Sequence, residues 1–124
     1  MKNARNPVKP RNPRKPRKDP REAREDLLRP HPRLGYDRDQ LALYLMSRHV
    51  FEIAETQFRR AIWLNPYEPA FKAHLAECLH HMSRYPEARE LAVKSLEQDP
   101  NSTECRKLLG MIDERLAATQ PKLK

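Results

Sequence analysis

The sequence predicts an all-α fold: a stack of antiparallel helix hairpins, two repeats plus a terminal capping helix, behind a disordered basic N-terminal tail. Three observations carry this. Leu41 and Leu75, Ala54 and Ala88, and Pro66 and Pro100 are each separated by 34 residues. Between these marks, apolar residues recur at helical spacing. Charge and proline are also unevenly spread. Residues 1–35 hold seven of the twelve prolines and twelve Lys/Arg against four Asp/Glu, whereas residues 36–124 hold thirteen of each. The chain therefore divides into a basic Pro-rich tail (1–34), a helical domain (35–118) and a frayed C-terminus (119–124).

Residues 1–19 offer no core, because Val8 is the only large aliphatic after Met1. Pro7, Pro10, Pro13 and Pro16 recur every three residues, the period of polyproline II. Lys9, Arg11, Arg14, Lys15, Arg17 and Lys18 make this stretch an extended, solvated electrostatic element. A short helix is expected at 20–29. Asp19 is its N-cap, Pro20 its first residue and Glu22 a capping-box partner, with Ala23, Leu27 and Leu28 on one face. Pro30 and Pro32 end it, and Gly35 opens a turn.

The first repeat starts with a helix capped by Asp37, with Gln40 three residues on, and an apolar face of Leu41, Ala42, Leu45 and Met46. Its second helix spans about 51–64 with Phe51, Ala54, Phe58, Ala61, Ile62 and Trp63, and stops at Asn65-Pro66. After Pro69 comes a helix with Phe71, Leu75, Ala76 and Leu79. The next carries Ala88, Leu91, Ala92 and Leu96 and stops at Asp99-Pro100. Residues 102–118 form a last helix with Leu108, Leu109, Met111, Ile112 and Leu116. Small residues allow backbones to approach, and Leu41, Leu45, Phe51, Phe58, Leu75, Leu79 and Tyr85 fill the spaces between helices.

This pattern resembles the tetratricopeptide repeat over residues 35–118. The first repeat matches at Leu41, Ala54, Phe58, Ala61 and Pro66, with Ala42 and Leu45 for the usual Gly and Tyr and Arg38 for the usual Trp. The second matches at Leu75, Ala88 and Pro100, with Ala76, Leu79, Ala92 and Ser95 as substitutes. The last helix keeps Leu109-Gly110 and departs at Asp113.

The resemblance implies a concave groove lined by the first helix of each repeat. By position, that lining is Tyr36, Asp39, Leu43 and Met46, then Ala73, Glu77 and His80, then Glu104, Lys107, Met111 and Glu114. The family's carboxylate clamp uses Lys, Asn and Arg. Its positions here read Asp39, Leu43, His74, Glu104 and Leu108, so the clamp is absent. The groove is expected to be apolar with acidic edges, suited to a basic or amphipathic segment.

Other chemistries find little support. His74, Cys78 and His81 share a helix face, but Cys78 is expected to pack inside, and no metal or cofactor is expected. Gly35 and Gly110 are the only glycines, so there is no phosphate loop, and no nucleophile has a base partner by motif. An enzyme is not expected. No apolar run approaches the roughly eighteen residues of a membrane span, and no signal-peptide core is seen, so the expected location is cytoplasmic. The partner is expected to be a protein or peptide held by a small scaffold or adaptor. The alternative is a nucleic-acid- or ribosome-associated protein acting through its tail, whose charge attracts phosphate. Residues 13–17 resemble a minor-groove hook without its Gly-Arg-Pro centre, and the Pro spacing resembles ligands of Pro-binding domains. A homodimer remains open, since about three repeats usually make an independent stack.

Overall fold

The computed structural model describes residues 19–119. The expectations for the arm at 1–18 and for the frayed end at 120–124 lie outside the described residues. Six helices are present among the described residues: α1 (Pro20–Leu28), α2 (Tyr36–Ser47), α3 (Phe51–Leu64), α4 (Pro69–His81), α5 (Tyr85–Gln98) and α6 (Thr103–Thr119). α2 packs on α3 and α4 on α5; α3 joins the two pairs by packing on α4, and α5 carries α6. α2 also touches α4, and α4 touches α6. The first helices of successive repeats thus form one layer, α2-α4-α6, and the second helices, α3-α5, form the other.

The repeat is written into the turns. His49 and Ser83, also 34 apart, both adopt φ 62°. After α2, His49 N–H donates to the Met46 carbonyl and Val50 N–H to that of Leu45; after α4, Ser83 N–H donates to His80 and Arg84 N–H to Leu79. These paired bonds close each helix end with one left-handed residue and satisfy carbonyls that would otherwise have no partner. Each hairpin therefore reverses within a few residues, and with the same geometry.

The core follows from the small residues. Ala42, Ala54, Ala61, Ala76, Ala88 and Ala92 are fully buried. Without bulk at these positions the helix backbones come close, and Phe58, Leu64, Phe71, Leu75 and Leu79 fill the volume beside them. Cys105 and Ile112 bury one face of α6 against the second repeat, with Leu108, Leu109 and Leu116 half-buried around them.

Several local expectations need correction. Asp37 does not cap α2. Gly35 does, in a left-handed conformation (φ 91°), and Asp37 sits inside the first turn. Leu27 and Leu28 do not cover the end of the stack: they are 86% and 53% exposed, and the buried residue of α1 is Glu25. Arg38 donates to both Glu25 oxygens, at 3.1 and 3.3 Å, and Arg60 donates to Oε1 at 3.1 Å. Burial alone would raise the Glu25 pKa, but the two guanidiniums hold it below the ordinary carboxylate value. Leu41 is 44% exposed although its counterpart Leu75 is fully buried, because only α1, not a full helix pair, lies before it. Trp63 is 41% exposed, its ring lying under the Arg29 and Arg60 guanidiniums at 3.8 and 4.7 Å.

The two glycines give opposite predictions. A Cβ on Gly35 would lie 2.8 Å from the Phe71 ring and 2.9 Å from the Ala61 carbonyl, at a left-handed φ. Gly35→Ala is expected to cost at least about 1–2 kcal/mol. A Cβ on Gly110, inside α6, meets nothing within 4 Å. Gly110→Ala is expected to stabilise by about 0.5–1 kcal/mol. Phe58→Ala, at the centre of the first repeat, is expected to cost about 3–5 kcal/mol. Urea unfolding of the three variants checks all three signs.

Candidate functional site

The inner layer α2-α4-α6 carries two cavities, which together make a groove of two compartments. Between α4 and α6 lies a cavity of about 160 Å3, with Ala70, Ala73 and Leu108 as apolar lining and Glu68, Glu77, Asp99 and Glu104 as acidic lining. Between α2 and α4 lies a shallower cavity of about 310 Å3, lined by Leu43, Met46, Phe51, Glu77 and His81 among others. Glu77 belongs to both and marks the boundary between an acidic half and a mainly apolar half.

Each compartment follows from helix geometry. On α4, Ala73 and Glu77 are one turn apart, so both face the groove. Glu68 stands just before α4 as its N-cap, one carboxylate oxygen accepting from Ala70 N–H and the other from the Tyr36 hydroxyl at 2.8 Å. That bond ties the lip of the acidic compartment to the start of α2. Asp99 follows α5 at the Asp99-Pro100 stop, the counterpart of Asn65-Pro66.

At the groove floor His74 Nδ1 donates to Asp39 Oδ1 at 2.8 Å, joining α4 to α2. Burial lowers the His74 pKa, but the hydrogen bond to Asp39 and the charges of Asp39, Glu77 and Glu104 outweigh it, leaving the pKa above the ordinary value of 6.5. The imidazolium form is therefore favoured by the negative field of the groove itself.

The structure brings some of the expected lining residues together and separates others. Leu43, Met46, Ala73, Glu77 and Glu104 line the two compartments. Tyr36 stands at the lip, its ring edge-on to Phe71. Asp39 is only 4% exposed and is taken up by His74, so it braces the floor and leaves no free acidic edge there. His80 turns toward Tyr85 and His81, with its Nε2 buried and lacking a partner. Lys107, Met111 and Glu114 are exposed on α6, outside the lining of both cavities. Glu68 and Asp99 were not expected in the lining. Both sit in repeat junctions next to proline, and that placement is the sequence signal for them.

His74, Cys78 and His81 are engaged separately. The Cys78 thiol donates to the Phe51 carbonyl at 3.3 Å, and burial pushes its pKa up to about 11. His81 stacks on Phe51. No group of three or more His, Cys, Asp or Glu among the described residues is placed to hold a metal ion.

The His74–Asp39 pair makes a pH prediction. Because the folded pKa is raised above 6.5, the stabilisation is complete below that value and is lost as pH rises through the raised one. His80 runs the other way: burial, His81 and Arg115 lower its pKa, so its contribution is lost as pH falls. Comparison with His74→Gln isolates the first effect. The gap in urea midpoint between the parent and His74→Gln is expected to be widest on the acid side of 6.5 and to narrow as pH rises. A gap independent of pH would contradict the pair.

The sequence model of the tetratricopeptide repeat family matches residues 51–112, half of the chain, running from the start of α3 into α6. No curated protein matches the sequence closely enough to count as a relative. The paired helices, their 34-residue register, the two-layer stack and this match agree, and the chain belongs to the tetratricopeptide repeat family.

Proposed function

We propose that this protein is a non-enzymatic interaction module, a small scaffold or adaptor, that takes a basic, amphipathic segment of a partner protein into its groove. Tetratricopeptide repeats generally mediate protein–protein interaction. The observation that carries the finer reading is the division of the groove. One compartment offers Glu68, Glu77, Asp99 and Glu104 against the single cation His74, which Asp39 already holds, and the other offers Leu43, Met46 and Phe51. A segment with Lys or Arg on one stretch and a large aliphatic or aromatic residue on the next fits both at once. No helix among the described residues is long and apolar enough to cross a membrane, and the reading places the module in the cytoplasm. The nucleic-acid reading rests on the charge of residues 1–18, and nothing in the groove favours it.

Fluorescence anisotropy with labelled synthetic peptides tests this. A peptide alternating Lys/Arg with Leu is expected to bind, and one with Glu in place of the cations is not. Glu77→Gln with Glu104→Gln is expected to weaken binding about 3- to 30-fold at low salt, the range for two partly exposed ion pairs. Equal binding of both peptides, or indifference to the double substitution, would contradict the assignment.

A further inference from the structure

We propose that the chain's own N-terminal arm, residues 1–18, is an intramolecular ligand of the acidic compartment, holding it against partners that carry positive charge alone. The inference rests on the groove reading above and assigns that site its regulation.

Charge is the first argument. Residues 1–18 contain eight Lys/Arg and no Asp or Glu, matching the whole formal charge of +8. Residues 19–119 contain fifteen Lys/Arg and seventeen Asp/Glu, so the folded body has a small negative excess. Much of the body's positive charge is already committed elsewhere. Arg38 and Arg60 pair with Glu25, Arg59 and Arg84 with Glu55 and Glu87, and Arg89 with Asp113. His74 lines the compartment and is paired with Asp39, and no Lys or Arg joins it there, so four carboxylates, Glu68, Glu77, Asp99 and Glu104, gain from a cation supplied from outside the body.

Position is the second argument. The arm joins the body at Asp19, the N-cap of α1. Two residues on, Arg21 pairs with Asp37 in the first turn of α2. The neighbouring Tyr36 donates its hydroxyl to Glu68, the lip of the acidic compartment. The arm therefore starts at the α1–α2 edge of the stack and would reach the α4–α6 cavity by passing over α2. Eighteen residues at about 3.1 Å each reach about 55 Å when extended, and α4, which the groove follows, is about 20 Å long. Length imposes no strain on the contact.

Composition sets the limit of the lock. Beyond Met1, Val8 is the arm's only large aliphatic, so the arm satisfies the acidic compartment and leaves Leu43 and Met46 unfilled. A ligand tethered through a short linker has an effective concentration of about 1 mM. An arm that binds with a Kd of about 100 μM then holds the site about nine-tenths of the time and weakens an outside competitor about tenfold. A partner with both cations and apolar side chains recovers that loss from the second compartment; a purely basic segment does not.

Paramagnetic relaxation in the full chain tests the proposal. A nitroxide is attached at Asn12→Cys; Cys78 and Cys105 are buried and do not compete for the label. The expected result is broadening of the Ala73, Glu77, Glu104 and Leu108 amides at low salt. It should disappear in about 1 M salt, where the screening length is about 3 Å, and in Glu77→Gln with Glu104→Gln. Mixing labelled unenriched chain with unlabelled 15N chain should give no broadening. Broadening of comparable strength in that mixture would mean that a second copy supplies the arm, and broadening elsewhere or nowhere would mean that the arm is not the ligand; either overturns the proposal. A Lys/Arg–Leu peptide added to the same sample separates the two readings. If it shifts the groove amides while the arm never broadens them, the lock is refuted and the groove reading stands. If neither acts on the groove, both fall.

Discussion

Everything else in this structure depends on the close approach of helix backbones at buried alanines. Ala42 and Ala76 in the inner helices, and Ala54 and Ala88 in the outer ones, stand 34 residues apart and are fully buried. A larger side chain at any of them would separate the pair and flatten the stack, since overpacking a close contact displaces backbone as well as side chains. The tight turns at His49 and Ser83 bring each pair back in the same register. The two cavities of the inner layer are a consequence: they lie between its successive helices, α2 and α4 and then α4 and α6.

The ends of the stack follow a different rule. Inside it, Leu75 lies between repeats and is fully buried; at its edge, Leu41 is left half-open. The chain closes that edge with polar chemistry. Arg38, where the family's usual residue is Trp, reaches Glu25 of α1, and Arg60 joins it from α3. Such a network holds a short helix in one orientation, but it does not shield apolar surface as an aromatic at that position would. At the other edge α6 is apolar toward α5 through Cys105 and Ile112 and exposes Met111 on its free side.

The sequence made the stack legible because small residues, turn residues and prolines are local signals repeated twice. The α3 limits agree with the structure at both ends, and those expected for α1 and α6 agree within one residue at each end. What escaped was set by partners distant in the chain. Glu25 is separated by 13 residues from Arg38 and by 35 from Arg60, and nothing around it in the sequence marks it as buried. Leu27 and Leu28 gave an apolar signal in a helix too short to use it. Of the residues that the resemblance placed in the groove, Leu43, Met46, Ala73, Glu77 and Glu104 line the two cavities. The resemblance could not reveal that His74 would bind Asp39 and remove that carboxylate from the surface. Glu68 and Asp99 were missed because the lining was sought on helices alone.

We propose that function resides in a groove whose two halves differ in chemistry, acidic between α4 and α6 and mainly apolar between α2 and α4. Amide chemical-shift mapping while an amphipathic basic peptide is titrated into the full chain tests it most directly. The largest shifts are expected on the inner faces of α4 and α6 and at Leu43 and Met46, with Glu77 responding to both ends of the peptide. Shifts concentrated on α3 and α5, the opposite layer of the stack, would contradict it.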